Sequence, residues 1–317
     1  MKTFLEDLKN ELIKRKMNQS EIDDIIKDHE EMIQEALREG LAEEDIQSRF
    51  GDPKELAKEL SAQCSQEETK VVHEDYTLWK SLKINDPSYQ VMINLVSEDL
   101  IVQSSEDDNA HLYAKGHGKL EDYTFTYDQG ELRLEAPKSK GLIFMRISKE
   151  DVSFVLELPK RVDISACTLK TVSSDIKITY LQAENFKLST TSGDLDLSCA
   201  TLKQMKLNTV SGDFHLSHVT SDEADLSFVN GDLDMAYINI KEKVHANTVS
   251  GDIKWQDSEV GAAEFHVVSG DVKGEEFYPK TIVFKSVSGD LVIRNNEKRD
   301  VTLLKGTTLS GEISIKP

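Results

Sequence analysis

The stretch Asn208–Asp213, Asn-Thr-Val-Ser-Gly-Asp, returns unchanged at Asn247–Asp252, and looser forms of Ser-Gly-Asp recur between and beyond the two copies. Serine and aspartate are residue types that do chemistry, so the first question is whether they do it here. A serine nucleophile requires a base within hydrogen-bond reach and a third group to orient that base. Only Ser211 has histidines close by in sequence, His215 and His218, and the sibling copies keep the serine without them. This pattern argues against a catalytic serine.

The acids present a different chemistry. They fall at Asp175, Asp194, Asp213, Asp232, Asp252, Asp271, Asp290 and Glu312, in steps of 19, 19, 19, 20, 19, 19 and 22 residues. If each step is one rung of a stack, the carboxylates line up about 4.8 Å apart. Adjacent pairs would then repel by about 0.9 kcal/mol each in water-like dielectric before salt screening. Backbone N–H groups, interleaved lysines such as Lys177, Lys254 and Lys273, or bound cations could offset this. Calcium suits hard oxygen ligands, which makes the seven aspartates weak cation candidates. One carboxylate per rung is a thin shell, however, and the nine-residue calcium-binding repeat is absent, so structural hydrogen bonding is the expected role.

No other metal or cofactor is signalled. His29 lies within a helical stretch, and His73, His111, His117, His215, His218, His245 and His266 are scattered with no helical i, i+4 pairing. The three cysteines, Cys64, Cys167 and Cys199, show no Cys-x-x-Cys spacing, so neither a disulfide framework nor a zinc site is signalled.

Eight copies at a near-fixed period define a solenoid or array. The residue after each acid is apolar, from Ile176 and Leu195 to Leu291 and Ile313. Two residues on, Ile178, Leu197, Leu216, Met235, Trp255, Ile293 and Ile315 repeat the preference, with Gly274 the exception. A period of two with one apolar face is strand spacing. A second pair, such as Phe186 and Leu188, Met205 and Leu207, or Ile282 and Phe284, marks another strand in each repeat. Nineteen residues make a perimeter of roughly 60 Å, which suits a β-helix coil better than a propeller blade of 40 or more residues. The expected fold is mainly β: a right-handed β-solenoid with a small N-terminal α-helical bundle.

The glycines Gly193, Gly212, Gly231, Gly251, Gly270, Gly289 and Gly311 precede the acids. Counting back by twos from the apolar positions places Thr191, Val210 and the glycines inward, the glycine letting the wall bend or approach its neighbour. The alternative is a tight turn with glycine at positive φ and the aspartate bonding its own backbone.

Residues 1–65 follow helical periodicity, with Phe4, Leu5, Leu8 and Leu12 on one face and Ile22, Ile25, Ile26, Met32, Ile33 and Leu37 on the next. Asn18 and Glu21 have capping-box spacing, Met17 and Ile22 suit a hydrophobic staple, and Gly40 suits a stop. A short helix over residues 43–50 leads to Gly-Asp-Pro, where Asp52 can cap, Pro53 begins the last helix and Glu55 completes a second box. Residues 66–79 read as a linker, 80–161 as an N-terminal β region that starts and covers the solenoid, and 162–317 as the regular repeats.

The run from Met17 to Gly40 and the motif Gly51, Asp52, Pro53, Leu56 and Ala57 resemble the HAAS-type helical signalling domain of Gram-positive bacteria. The stretches LELPKRVDI, TTSGDLDL, NTVSGDFHL and FKSVSGDLVI resemble the bacterial putative-adhesin family of β-strand-repeat proteins, over roughly residues 80–317. The two together look like Lia-type envelope-stress proteins. The resemblance implies a cell-envelope or surface-associated, non-enzymatic binding or scaffold protein, partnered by a protein or a cell-surface polymer.

Composition narrows the partners. A net charge of −20 argues against nucleic acid, which needs clustered Lys and Arg, and favours cationic partners such as cationic peptides. No run is long and apolar enough to span a bilayer, and the N-terminus lacks the apolar core of a signal peptide. Two rival readings are a polysaccharide-active β-helix enzyme, whose one candidate segment is LVIRNNEKRDVTLLKG, and a cytoplasmic regulator acting through the helices.

Overall fold

The computed structural model describes residues 2–14, 19–38, 49–54, 56–57, 75–137 and 152–316. The chain divides into two compact units, Met1–Glu68 and Thr69–Pro317.

In the first unit, helices α1 (Lys2–Lys14) and α2 (Gln19–Arg38) pair through their apolar faces. Phe4, Leu8, Leu12, Ile22 and Ala57 form the core, with Ile25, Ile26, Phe50 and Leu56 packed on it. Asp52 caps as its position suggests: its Oδ1 accepts the Lys54 backbone N–H at 2.7 Å, and its carbonyl accepts Leu56 N–H at 2.9 Å. Met32, expected on the apolar face, is instead 53% exposed. The expected capping box of Asn18 with Glu21, the staple of Met17 with Ile22 and the stop at Gly40 rest on Met17, Asn18 and Gly40, which lie outside the described residues.

Among the described residues, the second unit is one continuous network of 18 strands. Its regular part is a parallel stack in which Leu195–Ser211, Phe214–Asn230, Leu233–Ser250, Ile253–Ser269 and Val272–Ser288 pair rung on rung in register. This is a β-solenoid with a spacing of about 19 residues. Along Leu195–Asp213 the in–out alternation breaks three times, at Ser198–Cys199, at Lys203–Gln204 and at Val210–Asp213, so each coil has three walls. The one 20-residue step is absorbed at the middle corner, where the register shifts between Ile240 and Lys243.

Inward side chains form one core along the stack, including Leu195, Leu197, Phe214, Leu216, Met235, Trp255, Phe265 and Phe284. The Gly274 exception has a packing reason. Gly274 registers with Trp255, and Phe277 fills the vacated space, stacking on the indole at 4.6 Å between centroids and 19° between planes. A Cβ on Gly274 would lie 2.8 Å from the Phe277 Cβ.

The first corner of each coil turns on left-handed residues that are not glycine: Cys199, His218, Tyr237, Asp257 and Glu276, all at φ between 46 and 59°. Nothing in their types marks the position. Cys167 is a buried thiol whose pKa burial pushes up to about 12.

The N-terminal strands join the same stack out of chain order. Ser88–Asn94 lies between Glu131–Glu135 and Asp163–Lys170, and Asp99–Ser105 lies between Ser153–Pro159 and Ile176–Ile178, all parallel. Beyond them the pairing turns antiparallel. Thr124–Asp128 covers Glu131–Glu135, and Asn109–Lys115 with Thr77–Lys83 covers Ser153–Pro159. Thr77–Lys83 takes up the last residues of the span expected as linker, and its exposed lysines blunt an edge that could otherwise template further pairing.

Candidate functional site

The Ser-Gly-Asp corner is where the repeat concentrates its unusual residues. The glycines sit at φ between 114 and 154°, so the positive-φ turn is the geometry adopted. Their close approach is also real: a Cβ on Gly212 would lie 2.1 Å from the Gly193 carbonyl oxygen, and one on Gly251 would lie 1.9 Å from that of Gly231. The corner departs from the expected in–out alternation. Thr190 and Thr209 face inward, while Thr191 and Val210 face out, because the corner spends several consecutive residues outside before Leu195 or Phe214 turns back in. These two inward hydroxyls donate to the carbonyl two residues on, Thr190 to Ser192 at 2.8 Å and Thr209 to Ser211 at 3.2 Å.

The aspartates form a ladder of a kind the tight-turn reading did not contain. Each Oδ1 accepts the backbone N–H of the acid in the next rung, not its own. The bonds run from Asp99 to Asp175, then through Asp194, Asp213, Asp232, Asp252, Asp271 and Asp290 to Glu312, at 2.7 to 3.0 Å. Asp99, the first carboxylate, escaped the sequence reading because it precedes its rung neighbour by 76 residues. Charge-assisted bonds of this kind to backbone N–H groups offset the like-charge repulsion along the column. Lysines help locally: Lys273 reaches Asp271 at 2.9 Å and Asp252 at 3.4 Å, and Lys254 reaches Asp232 at 3.9 Å. Lys177 pairs instead with Asp196, outside the ladder. The Asp290 N–H, followed by the Lys273 ammonium, holds the Asp271 carboxyl below the usual carboxylate range.

The ladder gives a direct expectation. Asp213→Ala removes the acceptor of the Asp232 N–H and costs about 1.5 to 3 kcal/mol, whereas Asp213→Asn keeps an oxygen in place and costs less. Urea unfolding of both variants measures the difference. Among the described residues no three ladder carboxylates converge within metal-ligand reach, and the wild-type melting midpoint is expected to be unchanged in millimolar calcium.

The structure does not assemble a serine triad at this corner. His215 pairs with Asp234 at 3.5 Å, and His218 stacks on Tyr237 with centroids 4.7 Å apart. Several polar residues of the irregular last repeat are engaged structurally. Arg299 pairs with Glu259 and Glu297 at 2.7 Å each and lies over the Tyr278 ring. The Asn295 amide exchanges two hydrogen bonds with the Phe277 backbone.

What the sequence reading missed is the column beside the serines. Val172, Val210, Val229, Val249, Val268 and Val287 are each 40 to 49% exposed. The last five occupy consecutive rungs and form an apolar stripe along the corner. A shallow groove beside it is lined by Val249, Val268, Val287, Asn247, His266 and Lys285. The available signal was the pair Thr-Val before Ser173, Ser211 and Ser250: two successive residues cannot both face the core of one strand.

On the wall next to the stripe, stacking brings distant polar residues together. Glu264 accepts from Lys243 at 2.6 Å and lies 3.1 Å from His266 Nε2, which the Lys285 ammonium approaches at 2.8 Å. The His245 ring meets the His266 ring edge-on at 5.2 Å. The hydrogen bond from Lys243 holds the Glu264 carboxyl below its ordinary value. Partial burial, with Lys285 beside it, holds the His266 imidazole below its own.

A corner of stacked backbone turns, lined with a carboxylate ladder and an apolar stripe, defines a repeat-built β-solenoid with a surface suited to contact. Residues 89–316 match the model of the toastrack family, DUF4097, and the chain belongs to that family. Residues 3–59 match the HAAS domain. No curated protein matches the chain.

A solved structure shares the fold. It is titled a putative lipid binding protein from Parabacteroides distasonis, with 18% identity, a TM-score of 0.57, and 76% of this chain and 97% of that chain covered. Another is titled a putative adhesin from Bacteroides fragilis, with 17% identity and a TM-score of 0.40, covering 74% of this chain and 98% of that chain. Among the described residues no helix is long and apolar enough to cross a membrane.

Proposed function

We propose that this chain is a non-enzymatic binding or scaffold protein of the cell envelope, adhesin-like, whose solenoid holds a protein or surface polymer along the valine stripe. The observation that carries this reading is the stripe itself. Five valines on consecutive rungs stay about half exposed although each rung has an apolar interior to receive them. A contiguous apolar strip on a rigid wall, bordered by serines and carboxylates, is the anatomy of a contact surface. The names given to the structural neighbours, adhesin and lipid-binding protein, agree with a binding role.

The acidic balance would draw cationic partners, including cationic peptides, by long-range attraction that salt weakens. The HAAS module would supply a second, signalling contact and link binding to envelope stress.

The test is retention of the labelled full chain on envelope fractions from stressed cells. Val229→Ser, Val249→Ser and Val268→Ser combined should reduce retention at least about tenfold, the worth of a few apolar contacts of about 1 kcal/mol each. The half-exposed sites predict little change in melting. Equal retention of wild type and triple variant would remove the stripe from the mechanism. Protease shaving of intact cells checks the location: a chain cut only after lysis overturns the surface assignment.

A further inference from the structure

We propose that His245, Glu264 and His266 form a three-ligand site for a divalent transition-metal ion of the zinc type. Two imidazoles and one carboxylate are a zinc ligand set that leaves a fourth position for water or a ligand. Each of the three offers a ligand atom, and these atoms all lie within 4.8 Å of one another. Around tetrahedral zinc, with bonds near 2.1 Å, ligand atoms stand about 3.4 Å apart. Glu264 Oε1 and His266 Nε2, at 3.1 Å, are already close to that spacing.

The scaffold fixes the backbone of all three. His245 registers with Glu264 across one pair of neighbouring rungs, and Asn247 with His266 across the same pair. The trio therefore sits on two adjacent strands of one wall, and only side-chain torsions separate it from a metal-binding arrangement. His245 Nε2 is shielded from solvent and has no hydrogen-bond partner among the described residues, an unmet demand that a metal or a rearranged neighbour would satisfy.

Two ammonium groups hold the places a metal would take. Lys243 bonds Glu264 Oε2 at 2.6 Å, and Lys285 bonds His266 Nε2 at 2.8 Å. Both lysine side chains are 51 and 42% exposed, so each can swing into water when the ion arrives. The metal thus competes with lysine for the same lone pairs. This competition distinguishes a designed trio from chance proximity, because removing a non-ligand should improve binding. The site borders the valine groove through His266 and Lys285, but the inference does not depend on what that groove binds.

Isothermal titration of the full chain with zinc chloride tests the assignment, with cobalt(II) absorption as a second readout of imidazole coordination. Wild type should take up one ion per chain. His245→Asn, His266→Asn and the double variant should weaken binding about tenfold or more. Lys285→Ala should tighten it about tenfold, the worth of one ammonium some 6 Å from a divalent ion in water-like dielectric. Far-ultraviolet circular dichroism checks that each variant is folded, and the Lys285 variant, which is expected to gain affinity, keeps the test valid if a histidine variant is not. No saturable uptake by wild type, uptake unaltered in the double variant, or weaker uptake by Lys285→Ala each overturns the proposal.

Discussion

Gly251→Ala is expected to destabilise the solenoid by about 2 to 6 kcal/mol. Two independent costs combine. The backbone of Gly251 lies at φ 144°, a conformation that side chains rarely adopt and that costs about 1 to 3 kcal/mol when forced. The new Cβ would also lie 1.9 Å from the Gly231 carbonyl oxygen and 2.8 Å from its carbon. That contact is with backbone, so no side chain can swing away. Relief requires the two rungs to separate, and overpacking of this kind costs about 1 to 3 kcal/mol more. The rungs are held by ladder bonds above and below, including Gly251 N–H to the Ser269 carbonyl at 3.3 Å and Asp252 N–H to Asp232 at 2.8 Å, so the strain spreads to neighbouring corners.

Gly130→Ala is the matched control. Gly130 has φ 75° but no atom within 4 Å of the added Cβ, so only the conformational cost remains and a loss of about 1 to 2 kcal/mol is expected. Urea denaturation of both variants, followed by far-ultraviolet circular dichroism, measures the difference. Equal losses would show that rung contact adds nothing. Because stability in a stacked repeat is a sum over neighbours, the Gly251 variant is also expected to broaden the transition, the C-terminal rungs loosening from the rest.

Trp255→Ala costs about 3 to 5 kcal/mol. The indole is 2% exposed and packs between two rings, stacked on Phe277 at 4.6 Å and edge-on to Phe265 at 6.2 Å. It cannot be replaced from the next rung, because its register partner there is Gly274. The large and absent side chains are complementary, and truncation leaves a void bordered by a glycine that has nothing to move into it. Trp255→Phe should cost much less, since it keeps a ring in the stack and removes an indole N–H that has no hydrogen-bond partner among the described residues. The comparison is read as the shift in thermal midpoint, about 2 to 4 °C per kcal/mol for a unit of this size. Similar shifts for Ala and Phe would mean that a ring kept in the stack contributes nothing.

Much of this architecture is legible in the sequence because a solenoid repeats its constraints. A period of 19 residues with apolar positions directly after each acid leaves few alternatives to stacked rungs, and Leu195, Leu197, Phe214 and Leu216 face the core as that period demands. The helical module is legible for the same reason on a shorter scale: Asp52 before Pro53 is a cap signal that needs only local geometry. Corners are harder. Alternation by two holds along a strand and fails where the chain turns, which is why counting back through Ser-Gly-Asp placed Val210 inside when it stands outside. The corner at Cys199, His218, Tyr237, Asp257 and Glu276 has no residue signature, since stacking on the neighbouring rungs imposes the left-handed backbone on whatever residue is there.

The sequence by itself determined the repeat, the strand period, the buried positions directly after each acid and the demand that a column of acids be stabilised. Only the tertiary structure decided how: each carboxylate serves the backbone of the next rung, and the column begins at Asp99, far away in the chain. Stacking also converted a separation of about one rung into contact. His245, Glu264 and His266 carry no helical or metal-ligand spacing in sequence, yet adjacent rungs lie only about 4.8 Å apart. In a parallel stack, neighbours in space are one period apart in sequence, and a pattern search over short spacings passes over them.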